Sequence, residues 1–102
     1  MTLIGEIYDV SREVRRIAPG TSTEGCFRVG TDRSMGHGFV HYVVLCRTPG
    51  GQFVTWTFVV RNDRDGLDYE LHDGHYFPTM AEAKADFAKR MEYKLSNFAW
   101  GD

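Results

Sequence analysis

Apolar residues return along this chain with two different periods. Near the start, Ile4, Ile7, Val10, Val14 and Ile17 recur every three or four positions, which is one face of a helix. Thr2 can cap that helix and Ala18-Pro19-Gly20 stops it. Glu6 and Asp9 come early and Arg12, Arg15 and Arg16 late, the order the helix dipole favours. Gly5 weakens the start, and the same residues also admit a short strand at Leu3–Tyr8 with a helix only from Ser11. From Gly38 the period drops to two. "GFVHYVVLCRT" and "QFVTWTFVVR" are rich in β-branched and aromatic residues and are separated by Pro49-Gly50-Gly51, the mark of a hairpin. With Gly50-Gly51 as a two-residue turn, Thr48 opposes Phe53, Leu45 opposes Trp56 and Val43 opposes Phe58. One face then carries Phe39, His41, Val43, Leu45, Val54, Trp56, Phe58 and Val60; the other carries Val40, Tyr42, Val44, Cys46, Phe53, Thr55, Thr57 and Val59.

A polar turn at "NDRDG" leads to "LDYELH", where Leu67, Tyr69 and Leu71 alternate with Asp68, Glu70 and His72, a third strand. His72-Asp73-Gly74-His75 reads as its end and a tight turn. The last helix opens with a capping box, Thr79 to Glu82. Its predicted buried stripe is Met80, Ala83, Phe87, Met91 and Leu95, with Asp86 one turn from Arg90. Residues 19–37, with four glycines and many small polar side chains, read as a flexible segment with room for a short strand at Cys26–Val29. Residues 96–102 form a tail containing Phe98 and Trp100. The expected architecture is a single α+β domain over residues 1–102. It has two layers in the order α-β-β-β-α: an N-terminal helix, a three-stranded antiparallel sheet and a C-terminal helix.

Charge and cysteine content narrow the function. Twelve Lys and Arg against fourteen Asp and Glu give a net charge of -2, which argues against tight, non-specific binding to phosphate backbones. Two cysteines, Cys26 and Cys46, are too few for a secreted disulfide scaffold and read as free thiols. No apolar run has transmembrane length and no signal-peptide pattern opens the chain, so the expectation is a cytoplasmic protein without a membrane partner.

The candidate chemistries are sparse. Cys26, His37, His41, Cys46, His72 and His75 can ligate metals, but the close pairs of a zinc site are missing. Along a strand His37 and His41 would stand about 13 Å apart, at about 3.3 Å per residue. Only His72 and His75 could converge, across Asp73-Gly74. "NDRDGLDYE" lacks the first carboxylate and the bidentate Glu of an EF-hand loop. No nucleophile elbow, phosphate-cradling loop or dinucleotide fingerprint occurs. His75 with Asp73 is the single base–orienter pair, and no nucleophile accompanies it. The expectation is therefore no metal, no cofactor and no enzyme.

Two binding readings follow. Both hairpin faces are apolar, so a sheet covered on one side leaves a patch of Val40, Tyr42, Val44, Phe53, Thr55 and Val59. Arg61 would sit at its rim, with Asp63, Asp65, Asp68 and Glu70 in the neighbouring acidic turn and strand. That patch implies a protein partner or a homodimer through the sheet face, unless residues 19–37 or the tail fold over it. The second reading is nucleic-acid binding through Arg47, Arg61 and Arg64. The helix, three-strand, helix order resembles the double-stranded RNA-binding domain, and the three strands plus helix resemble the arm-binding domain of phage integrases. The last helix departs from the former: Thr79-Met80-Ala81-Glu82-Ala83-Lys84 carries one lysine where that family has a basic cluster.

"DGHYFPTMAEAKADFAKR", residues 73–90, is similar to a segment of small uncharacterised bacterial, phage and plasmid proteins, in which Gly-His-Tyr-Phe follows a strand and an "EA…DF…R" helix comes next. The resemblance implies a mobile-element accessory protein and carries no activity with it. By analogy with small acidic phage proteins that block host defence nucleases, it suggests an inhibitor of a nucleic-acid-handling complex in the host cytoplasm.

Overall fold

The computed structural model of the protein describes residues 4–33, 39–63 and 66–101. The order is α1 (Ile4–Ile17), β1 (Ser22–Asp32), β2 (Phe39–Arg47), β3 (Phe53–Asp63), β4 (Gly66–Phe77), α2 (Met80–Asn97) and the two-residue β5 (Trp100–Gly101). All pairings are antiparallel and the sheet runs β4-β3-β2-β1-β5. The chain is thus α-β-β-β-β-α with four long strands, not the expected three. The additional strand, β1, occupies most of the segment read as loop. Its alternation is interrupted by two register shifts, at Thr23/Gly25 and Arg28/Gly30, where an extra residue bulges out.

The hairpin register also differs from the expected one. Thr48 N donates to Gln52 O at 2.8 Å, Gly51 N donates to Thr48 O at 3.0 Å, and Gly51 takes φ 84°. The loop is therefore the three residues Pro49-Gly50-Gly51, with Gly51 in the left-handed region that three-residue hairpins require. Arg47 pairs with Phe53, Val44 with Trp56 and Tyr42 with Phe58. A one-residue slip moves every side chain of one strand to the other face. Val54, Trp56 and Phe58 accordingly join Tyr42, Val44 and Cys46, and Thr55, Thr57 and Val59 join His41, Val43 and Leu45.

Each face has its own helix. Val10 and Val14 of α1 pack with Tyr42, Val44, Cys46, Val54, Trp56 and Phe58 in the apolar core. Burying two valines there contributes about 1.5–3 kcal/mol each. α2 lies on the opposite face, where Ala83 is buried, Asp86 meets Thr55 and Arg90 meets Thr57. The arrangement is three layers, α1, sheet and α2, rather than two. Its physical reason is the feature noted in the sequence: with both hairpin faces apolar, a helix on each face buries both. The expected N-cap is present, with Glu82 N donating to Thr79 Oγ1 at 3.3 Å. The expected stripe holds at Ala83, which is buried, and at Met80, Phe87 and Met91, which are partly buried; it fails at Leu95, which is 49% exposed, while α2 buries Arg90 and half-buries Lys94 instead.

Candidate functional site: the edge strand and its two flanks

β4 is the last strand of the sheet. One edge pairs with β3 from Asp63↔Gly66 to Phe53↔Phe77, and among the described residues no strand lies against the other. An edge of this kind presents a row of backbone N–H and C=O groups to whatever comes near.

His72-Asp73-Gly74-His75 lies inside β4 and does not end it. Thr57 pairs with His72 and Thr55 with His75, so β3 spends one residue, Trp56, where β4 spends two, Asp73 and Gly74. This is a bulge, with Asp73 in the left-handed region at φ 55°. Gly74 is required by close approach: a Cβ there would lie 2.5 Å from Trp56 Nε1. The bulge resets the alternation. His72 and His75, three apart, would otherwise project from opposite faces; here both accompany Thr55 and Thr57 on the α2 side, as do Asp68 and Glu70. Leu67, Tyr69, Leu71 and Tyr76 lie on the α1 side.

The α2 flank of β4 is polar. Arg61 Nη2 donates to Asp68 Oδ2 at 2.6 Å and to Glu70 Oε1 at 3.2 Å, and His72 Nε2 stands 3.3 Å from Glu70 Oε2. The Arg61 hydrogen bond holds the Asp68 carboxyl below its usual range. Beyond this cluster a cleft of about 300 Å³ reaches to Asp32, His41 and Lys94. His41 is buried, with Nε2 3.5 Å from Asp32 Oδ2 and its ring against Phe98 and Trp100 at 6.0 and 5.6 Å. Burial, with the charges of Lys94 and His72, pushes its pKa down against the pull of Asp32. The α1 flank is apolar. A smaller hollow of about 160 Å³ opens there between α1 and β4, lined by Val10, Tyr42, Phe58, Val60, Leu67 and Tyr69, with Asp9 as its one charged residue.

His75 is paired with Asp86 on α2 and not with Asp73, its Nδ1 lying 3.1 Å from Asp86 Oδ2. The same oxygen accepts from Thr55 Oγ1 at 2.5 Å and lies 3.6 Å from Arg90 Nε. Thr, Asp and His side chains therefore meet, yet the imidazole touches the carboxylate and not the hydroxyl. Thr55 is fully buried and its hydroxyl donates its hydrogen bond to Asp86, so the imidazole is not set to draw that proton from a nucleophile. Arg90 completes the tie by donating to Thr57 Oγ1 at 3.3 Å and to the Asp73 carbonyl. This network joins sheet to helix. Among the described residues no group of three His, Cys, Asp or Glu could hold a metal ion. Burial pushes the Cys46 thiol up to about 12, away from reactivity.

The residues expected to form one protein-binding face are divided. Val40, Tyr42 and Val44 lie on the α1 side and Phe53, Thr55 and Val59 on the α2 side; Tyr42, Val44, Thr55 and Val59 are buried. Arg61, Asp68 and Glu70 do come together. Asp65 and Arg64 fall outside the described residues, as does the side chain of Asp63. Of the arginines expected to meet nucleic acid, Arg47 lies over the Phe53 ring at 5.1 Å with its Nε 3.6 Å from Glu24, and Arg61 sits between two carboxylates. Four strands with helices on opposite faces also depart from both nucleic-acid-binding topologies. The free edge and its flanking hollow were not foreseen; an Asp-Gly inside an apolar–polar alternation is the signal for the bulge that shapes them.

No family model matches the chain, and no curated protein or solved structure matches it. No helix among the described residues is long and apolar enough to cross a membrane.

Proposed function

We propose that the protein is a small protein-binding domain that works by contact and takes a segment of its partner as an added strand along β4. The observation that carries this reading is the edge of a twelve-residue strand against which no strand lies among the described residues. Backbone groups on such an edge supply affinity, and the sites on its two flanks supply selectivity by reading alternate side chains of the added strand. The polar groups nearby favour contact over chemistry, because Asp86, His75, Thr55 and Arg90 are committed to one another. The resemblance of residues 73–90 to phage and plasmid accessory proteins makes a host defence complex the first partner to try, with this chain as its inhibitor. The test is capture from lysate with and without nuclease, followed by hydrogen exchange on the recovered complex. Added protection of the β4 amides supports strand addition. Partners lost entirely on nuclease treatment, or protection confined to the outer surfaces of α1 and α2, would overturn it.

A further inference from the structure

The two flanks of β4 differ so sharply that they define what an added strand must look like. On the α1 side stand Leu67, 58% exposed, Tyr69 and Leu71, beside the apolar hollow. On the α2 side stand Asp68 and Glu70, roughly half-exposed, with one guanidinium, Arg61, shared between two carboxylates. Two carboxylates thus face one guanidinium there, with Arg16, itself paired to Glu13, the further cation acting on Asp68. Successive side chains of an added strand fall alternately on these two sides. From this we infer that the partner segment alternates apolar and basic residues, the apolar ones entering the α1-side hollow and the basic ones facing Asp68 and Glu70. The inference rests on strand addition and deepens it by stating the partner's chemistry.

The same side chains disfavour a second copy. Antiparallel self-pairing centred on Tyr69 sets Asp68 of each chain opposite Glu70 of the other, and like charges directly opposite are destabilising. Centred on Leu71, the pairing runs into the Asp73-Gly74 bulge, which breaks the ladder. The edge thus favours a cationic strand over a copy of itself.

Two synthetic capped peptides test this on the full-length chain, one alternating valine with lysine and its twin alternating valine with glutamate. Amide shifts and hydrogen exchange at Leu67–His72 are the readout. The lysine peptide is expected to protect these amides and to bind about tenfold more tightly than its twin, the size expected when two cross-strand pairs change from opposite to like charge. The variant Asp68→Asn/Glu70→Gln, both sites being exposed, is expected to keep the fold by circular dichroism and to lose the preference. Equal binding of the two peptides, or tighter binding of the glutamate peptide, would overturn the inference and leave strand addition standing. Absence of protection by either peptide overturns both. A wild-type dimer with protected β4 amides overturns the inference as well, because a second copy would then hold the edge.

Discussion

Replacing Gly74 by alanine tests the bulge on which the site is built. The added Cβ would stand 2.5 Å from Trp56 Nε1 and 3.0 Å from its Cδ1, where non-bonded heavy atoms rest at about 3.5–4.0 Å. The indole has nowhere to go: it is 9% exposed, sits in the apolar core and meets the Tyr76 ring edge-on at 6.1 Å. Either β4 backs away and loses ladder hydrogen bonds, or Trp56 is forced into its neighbours. Overpacking of this kind costs about 1–3 kcal/mol. At roughly 4–8 °C per kcal/mol for a domain of this size, Tm should fall by about 5–20 °C. Thermal and urea unfolding, followed by far-ultraviolet circular dichroism and tryptophan fluorescence, measure it. Two companions make the result specific. Asp73→Gly relieves a left-handed conformation and should leave stability unchanged or raise it by up to about 1 kcal/mol. Gly50→Ala, where the nearest atom is Thr48 Oγ1 at 3.9 Å, should stay within about 0.5 kcal/mol of wild type. Gly74→Ala melting with the wild type would refute the reasoning, as would Asp73→Gly losing as much as Gly74→Ala.

Four further outcomes are expected. His41 has a folded pKa below its ordinary 6.5, so the unfolded chain binds protons first, and stability should be full above that pH and fall as pH drops beneath it; His41→Gln should flatten this slope in urea titrations across pH. At Asp86, burial alone would raise the pKa, but hydrogen bonds from Thr55 and His75 with the charges of His75 and Arg90 hold it down; a second loss should appear as pH falls from the ordinary carboxylate range through this lower value, absent in Asp86→Asn. Cys46, fully buried, should react with a thiol reagent only at the rate of opening, and Cys26, partly exposed, should react first, as peptide mapping over time would show. Trp100→Ala removes the ring against His41 and the hydrogen bond from its Nε1 to Lys94 O at 2.9 Å, and should cost about 1–3 kcal/mol in urea unfolding.

The parts of the fold that could be read from the sequence are those governed by local periodicity. Both helices, the two hairpin strands, the Leu67–His72 alternation and the Thr79 cap all follow from patterns within one element. β1 escaped because two bulges break its alternation and its residues include glycines and exposed polar side chains. The hairpin register escaped because Thr48-Pro49-Gly50-Gly51 forms a turn followed by a left-handed glycine, which adds one residue to the loop and exchanges half of each face. Helical spacing points Leu95 inward because hydrophobicity outranks charge in such a stripe, whereas Arg90 is buried with Thr57, the Asp73 carbonyl and Asp86 around it. The candidate site depends on which strand ends the sheet and on which face each helix covers. Both are set by packing between elements distant in sequence. Within one strand, alternation places Val40 with Tyr42 and Val44, and Phe53 with Thr55 and Val59; across a turn it brings Arg61 to Asp68 and Glu70.

The two faces of the sheet are held by different forces. α1 adheres through buried aliphatic and aromatic surface, which is indifferent to pH and strengthened by excluded salts. α2 adheres in large part through hydrogen bonds and charge around Asp86, Arg90, Thr55 and Thr57, with His41 buried nearby. Acid acts on only one of these layers. Protonating Asp86 removes the acceptor that ties helix to sheet, and protonating His41 places a charge in a buried site. The two layers therefore carry separate sensitivities: acid weakens what holds α2 to the sheet and leaves the apolar contacts of α1 untouched.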